Sequence, residues 1–238
     1  AISGESVHIK VTLGKIRSIM VNVMGEVEVP GTYRLSAFAS VFHALYRAGG
    51  VNRIGSLRTI QVVRNGEKVA DVDVYKYIME GKLADDIRLS EGDVILVSPY
   101  ENLVGISGKV KRPMIYEMKQ GESLATLINY AGGFTGDAYR NTVRLLRRSG
   151  REKQIYNVDK VDYENFILTD DDEVSVEAVL DRFSNKVEVR GAVYRAGMYQ
   201  LDSLTGTIKQ LICQAEGLRG DAFLNRALLK REREDLSH

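Results

Sequence analysis

The sequence predicts an α+β chain built from tandem repeats, and three observations carry that prediction. A block of residues recurs every 83 positions, each copy opens with alternating apolar residues around a glycine, and each continues into an apolar face with helical spacing. The first block reads Val21-Asn22-Val23-Met24-Gly25-Glu26-Val27 and then Pro30-Gly31-Thr32-Tyr33. The second reads Val104-Gly105-Ile106-Ser107-Gly108-Lys109-Val110 and then Pro113-Met114-Ile115-Tyr116. The third reads Val187-Glu188-Val189-Arg190-Gly191-Ala192-Val193 and then Ala196-Gly197-Met198-Tyr199.

Each unit can be taken in order. Val21, Val23 and then Val27 alternate along the chain, which predicts a strand, and Pro30-Gly31 predicts a type II turn into a second strand ending at Leu35. Such a turn needs positive φ at its third position, where Gly31 and Gly197 fit and Met114 does not, so a different turn is predicted in the second repeat. Val41, Ala44, Leu45 and Ala48 fall at i, i+3, i+4 and i+7, one face of a helix that Gly49-Gly50 ends through a left-handed cap. Leu124, Leu127, Ile128 and Ala131 match them behind a Ser123 N-cap and before Gly132-Gly133, as do Ile208, Leu211, Ile212 and Ala215. Strands follow at Thr59 to Arg64 and Val69 to Val72, then a short helix at Tyr75 to Met79 and a strand at Val94 to Val97. Hairpin, helix and further strands give a unit with a helix across one sheet face. Repeats two and three share Gly136-Asp137-Ala138-Tyr139-Arg140-Asn141 and Gly220-Asp221-Ala222-Phe223-Leu224-Asn225, where repeat one has Gly55-Ser56-Leu57-Arg58. The third repeat stops soon after Arg231, so it reads as truncated. Val7, Ile9, Val11 and Leu13 alternate with polar residues and predict one more strand before the first repeat.

Composition narrows the function classes. Of 238 residues, 44% are hydrophobic and 27% charged, enough to bury a core. Lys and Arg number 33 against 32 Asp and Glu, so bulk electrostatics argue against a nucleic-acid or anionic-membrane binder. One cysteine, Cys213, excludes an internal disulfide and reads as a covered free thiol in the third helix. Three scattered histidines supply hydrolytic triads and metal sites poorly. The Gly-Gly pairs end helices instead of opening them, which is the wrong place for a phosphate loop. No catalytic constellation and no cofactor motif emerges, and no apolar run approaches the roughly 18 residues of a membrane span.

The pattern Val-x-Val-x-Gly-x-Val-x-x-Pro-Gly-x-Tyr, an amphipathic helix ending Ala48-Gly49-Gly50, Arg64 at a strand end and Leu89-Ser90-Glu91-Gly92-Asp93-Val94-Ile95 together resemble the soluble-ligand-binding β-grasp domain. Tandem copies are similar to the outer-membrane polysaccharide export proteins of Gram-negative bacteria. The resemblance implies β-grasp repeats at 19–100, 101–183 and 184–238, the last partial, with 1–18 as the closing strand of a preceding export domain. It implies a non-enzymatic periplasmic segment, associated with the outer membrane. Its partners would be a capsular polysaccharide or exopolysaccharide, further copies in a ring, and an inner-membrane export component. Nucleic acid is not among them, and membrane contact falls to parts outside the chain. A small-ligand module and a protein adaptor stay open as alternatives.

Within that frame, Gly25, Gly108, Gly191, Gly31, Gly197, Pro30 and Pro113 read as turn and close-approach devices, and Gly49, Gly50, Gly132 and Gly133 as helix ends. Tyr33, Tyr116 and Tyr199 can stack on a sugar, although strand tyrosines usually cap a core. Arg64, Arg147 and Arg231 can grip a glycan carboxylate in bidentate fashion, or form solvated strand ends or inter-repeat ion pairs. Arg144, Arg147, Arg148, Arg151 and Lys153 form the densest basic stretch, read as a solvated hairpin or a site for an acidic partner. Asp170-Asp171-Asp172-Glu173 aligns with Ser90-Glu91-Gly92-Asp93 and reads as a turn, since it lacks the spacing of a calcium loop.

Overall fold

In a computed structural model, which describes residues 17–81 and 87–231, the chain falls into two compact units, Ala1–Val179 and Leu180–His238. The first holds two copies of one architecture. Repeat one runs β1 (Ser18–Gly25), β2 (Gly31–Ser36), α1 (Val41–Arg47), β3 (Gly55–Arg64), β4 (Glu67–Val72), α2 (Val74–Glu80) and β5 (Val94–Pro99). Repeat two runs β6 (Asn102–Gly108), β7 (Met114–Met118), α3 (Leu124–Tyr130), β8 (Thr142–Ser149), β9 (Glu152–Asp159) and β10 (Glu173–Val176). Their sheets have the same order, β2-β1-β5-β3-β4 and β7-β6-β10-β8-β9. The last strand of each repeat enters the centre of its sheet, parallel to the first strand and antiparallel to the third. The second unit contains β11 (Lys186–Val189), β12 (Gly197–Gln200) and α4 (Ile208–Gln214). The strand predicted at Val7 to Leu13 lies outside the described residues.

Alternation decides which face is buried. Ile19, Val21 and Val23 of β1 point inward with Ile95 and Val97 of β5 and Ile60 and Val62 of β3. Val41, Ala44, Leu45 and Ala48 close this core from α1, and Leu124, Leu127, Ile128 and Ala131 do the same in repeat two. Each helix ends in a Schellman motif. The Gly50 N–H donates to Leu45 O (2.9 Å) and Gly49 N–H to Tyr46 O (3.2 Å), and Gly133 and Gly132 repeat the pattern onto Ile128 and Asn129. In the second unit Glu216 stands in the first glycine's place at φ 60, its N–H on Cys213 O.

Several expectations are corrected. Gly31 does not carry the positive φ of a type II turn; it is the first residue of β2, opposite Val23, just as Met114 opens β7 opposite Ile106. The connection is therefore one loop of the same form in both repeats, and Met114 fits it without strain. The left-handed residue is Gly25 (φ 83) and its equivalent Gly108 (φ 82), where the chain passes so close to the central strand that a Cβ would stand 2.1 Å from Val97 O or Val176 O. Ser123 does occupy an N-cap position, but its hydroxyl faces Thr126 Oγ1 (3.4 Å) instead of a backbone N–H. Cys213 is exposed, because α4 buries none of its residues. Arg231 ends no strand; it lies in irregular chain.

The helix caps yield a clean test of backbone conformation. Gly133 sits at φ 83 with open space where a Cβ would point, so Gly133→Ala adds conformational strain and no clash. Urea unfolding of the first unit should show a loss of about 1–2 kcal/mol with an unchanged slope.

Candidate functional site

The predicted tyrosines serve the strand connections. Tyr33 Oη donates to Val29 O (2.6 Å), Tyr116 Oη to Arg112 O (2.9 Å) and Tyr199 Oη to Arg195 O (2.6 Å), each tying a strand to the loop four residues before it. Tyr116 is 2% exposed, leaving no ring face for a sugar, and burial pushes its hydroxyl pKa up. Tyr33 and Tyr199 are half-buried.

Arg64 and Arg147 take matching places. Arg64 Nε and Nη2 grip Asp93 Oδ1 and Oδ2 at 2.8 Å each, and Arg147 grips Asp172 at 2.9 and 2.7 Å. These pairs lie within each repeat, not between repeats as one sequence reading had it. Both aspartates are fully buried, and each also accepts the N–H three residues before it, from Ser90 or Thr169. Burial works to raise the Asp93 carboxyl, but Arg64 and the Ser90 amide outweigh it and hold the carboxyl below its ordinary range. The Asp171-Asp172 sequence is thus the turn predicted, with Asp171 left-handed (φ 62) where Gly92 stands (φ 81). The basic stretch is largely paired: Arg144 with Glu177, and Arg148 with Asp171 and Glu173. Arg231 is exposed.

What the sequence reading missed is a buried polar cluster where the two repeats of the first unit meet. Arg58, 5% exposed at the start of β3, reaches Asp73 Oδ2 (3.3 Å) in its own repeat and Glu122 in the next (2.5 and 2.8 Å). It also donates to Glu117 O (3.2 Å), and Lys119 Nζ closes on Asp73 from repeat two (2.8 Å). Glu117 accepts from Ser56 Oγ (2.5 Å) and Leu57 N (2.8 Å), while its own N–H donates to Tyr75 Oη (2.9 Å). Tyr75 and Tyr130 place their rings 5.0 and 5.3 Å from the guanidinium carbon. Tyr75 and Met79 of α2 pack against the core of repeat two, so this short helix carries contacts across the junction.

The local causes are legible. Asp73 is the N-cap of α2 and accepts the Tyr75 N–H, which fixes it beside Arg58. Burial would raise the Asp73 carboxyl, yet Lys119 and Arg58 together hold it below its ordinary 3.8. Burial dominates at Glu117 and pushes that carboxyl up, and it pushes the Tyr130 hydroxyl to about 12. The signal in the sequence was departure from the repeat: Gly55-Ser56-Leu57-Arg58 replaces the shared Gly-Asp-Ala block, and Glu117 and Glu122 stand 83 residues after Arg34 and Ala39.

Beside the cluster a cleft of about 220 Å³ opens between the repeats, with Asn52, Arg53, Leu57, Tyr75, Tyr100 and Ile115 in its lining. Among the described residues no group of three or more His, Cys, Asp or Glu is placed to hold a metal ion. The chemistry on offer is hydrogen bonding and charge pairing.

Arg58→Ala strands two carboxylates, Asp73 and Glu122, with Lys119 on Asp73 as the remaining cation, so it should cost about 3–5 kcal/mol and split the unfolding of the first unit into two transitions. Asp73→Asn should destabilise at neutral pH. Because the folded carboxyl sits below 3.8, that contribution is present above 3.8 and lost as pH falls through the lower folded value. The stability gap between wild type and variant should therefore close in acid, read by urea midpoints from pH 7 to pH 2.

Comparison with known proteins agrees with this architecture. SLBB domain families match residues 20–97 and 103–157, together more than half of the chain. Two proteins described as polysialic acid transport protein KpsD, from Escherichia coli, are 25% identical over 188 residues, covering 78% of this chain. The chain spans about a third of the length of these relatives. With both repeats matched, two β-grasp copies of one architecture and a buried junction between them, the chain belongs to the SLBB domain family, whose domains it carries in tandem.

Proposed function

We propose that this chain is a periplasmic, non-enzymatic segment of a polysaccharide export protein, in which β-grasp repeats act as rigid modules along the path of a capsular polysaccharide or exopolysaccharide. The observation that carries this reading is the 188-residue likeness to polysialic acid transport proteins, which spans more than one repeat. The physical support is the Arg58 junction. Buried ion pairs are weak sources of net stability but strong geometric constraints, because a shifted partner leaves a charge unpaired. Two repeats so joined hold a fixed orientation, which a stacked, ring-forming wall requires. In the full-length protein, copies close side by side into a ring around the glycan, with an inner-membrane component feeding it. No described helix is long and apolar enough to cross a membrane.

The junction cleft favours a second reading, a small-ligand module. The Arg53 guanidinium and the Tyr100 hydroxyl are donors suited to a sugar acid. Calorimetric titration of the chain with glucuronate separates the two readings: heat that Arg53→Ala removes supports the second.

Deleting the encoding gene should remove polysaccharide from the cell surface, whether or not material accumulates in the periplasm. Complementation with the wild-type gene should restore it, and Arg58→Ala should restore it only in part. Surface polysaccharide unchanged by deletion would sink the export reading.

A further inference from the structure

The flank of α1 carries aromatic rings that the repeat-one core does not enclose. Val41, Ala44 and Leu45 turn to the sheet, which leaves Phe42 and Tyr46 one turn apart on another side of the helix. Phe42 is half-buried and packs against the core, and Tyr77 of α2 stacks on it with ring centroids 4.7 Å apart and planes tilted by 40°. Tyr46 is 85% exposed and Tyr77 41%. Tyr75 and Met79 of the same short helix pack on the core of repeat two, so α2 is anchored there and Tyr77 is held where it meets α1. None of these four-residue neighbours, Phe42, Tyr46 or Tyr77, lines the junction cleft.

Cations stand at both ends of this helix. Phe38, 62% exposed, precedes the Ser40 N-cap, and the Arg88 guanidinium carbon lies 4.9 Å from its ring centroid. The Leu89 N–H donates to Ala39 O (3.0 Å) and Ser40 bridges to Arg88, which keeps Arg88 beside the entry to α1. Arg47, exposed, follows Tyr46 in the last turn. Among the described residues neither arginine forms an ion pair. The β-grasp fold does not need these rings: 83 residues on, Gly121, Ala125 and Asn129 stand in place of Phe38, Phe42 and Tyr46, and α3 closes its core all the same. Aromatic surface left open beside cations marks a binding surface.

We infer that Phe42, Tyr46 and Tyr77, with Arg88 at one end, form a stacking platform for an acidic polysaccharide chain, an inference that rests on the export reading for the source of its ligand. The C–H face of a sugar ring packs on the negative face of an aromatic ring. Phe42 and Tyr46 stand about 6 Å apart along the helix axis, close to the length of one sugar unit, so successive units meet successive rings. A strip of rings one helix wide suits a linear chain better than the broad face of a globular partner. Arg88 accepts a uronate carboxylate in bidentate fashion while its stem stays on Phe38, and Arg47 adds a second charge beside Tyr46. Stacking is indifferent to the order of sugars, and the arginines select for negative charge.

The test titrates the full chain with a hyaluronan hexasaccharide, which carries a carboxylate on alternate sugars, and with neutral maltohexaose, and follows the aromatic ring signals by NMR. Saturable shifts at Phe42, Tyr46 and Tyr77 are expected at millimolar sugar, stronger for the acidic chain. Tyr46→Ala should weaken binding of both sugars roughly 2- to 10-fold with an unchanged urea midpoint, and Tyr46→Phe should keep it. Arg88→Gln should weaken the acidic chain alone, roughly 2- to 5-fold. Absence of saturable shifts at these rings overturns the inference, as does binding indifferent to both Tyr46→Ala and Arg88→Gln. Shifts confined to the cleft at Tyr100 overturn it in favour of the small-ligand reading, and ring shifts that follow protein concentration without sugar give the surface to a second copy. In cells, a Tyr46→Ala, Arg88→Gln strain that displays normal surface polysaccharide, where deletion removes it, overturns the platform and leaves the export reading standing. Surface polysaccharide unchanged by deletion sinks the export reading, and the acidic ligand with it.

Discussion

The architecture depends on one constraint: the last strand of each repeat must thread into the centre of a sheet whose other strands precede it. A central strand needs a hydrogen-bonding neighbour along each of its two edges, here the first strand in parallel and the third in antiparallel, so its arrival organises everything around it. The first strand must bend past its carbonyl, which only a left-handed glycine at Gly25 or Gly108 permits. The aspartate at its start must be buried and yet charged, which calls for a bidentate arginine at the end of the third strand. The helix seals the hydrophobic face so formed.

This explains why the repeated polar residues turn inward. Arg64 and Arg147 serve the strand that completes their own sheet, and Tyr33, Tyr116 and Tyr199 close the loop between the first two strands. Residues that recur in every repeat build the repeat. Residues that break the pattern build the junction, since a junction between two copies cannot be symmetric: one copy must present Arg58 and Asp73, and the other Glu117, Lys119 and Glu122. The buried cluster is costly in desolvation, so its benefit is orientation more than stability.

Much of the fold was legible in the sequence. The glycine interval located the units, alternation located β1, β3 and β5 to within a few residues, and the apolar quartets placed α1, α3 and α4 with their glycine ends. The hairpin turn was misjudged because Pro30-Gly31 has the local chemistry of a type II turn, whereas the chain's positive φ is claimed six residues earlier by a contact with a strand some seventy residues away. Ser123 and Cys213 were likewise read from local pattern, and their surroundings, not their neighbours in sequence, decided what they touch.

By itself the sequence determined the periodic part of this protein: the number of β-grasp openings, the order of strands and helices, and the family they belong to. These follow from spacing of apolar residues and from backbone conformations that glycine alone adopts freely, both of which are local. Only the tertiary structure decided the pairings, because a hydrogen bond or ion pair joins residues that sequence separates. Arg58 lies 64 residues from Glu122, and Glu117 lies 61 from Ser56. No local rule selects such partners. Burial selects them, by making each charge costly until the chain has brought its counterpart within reach.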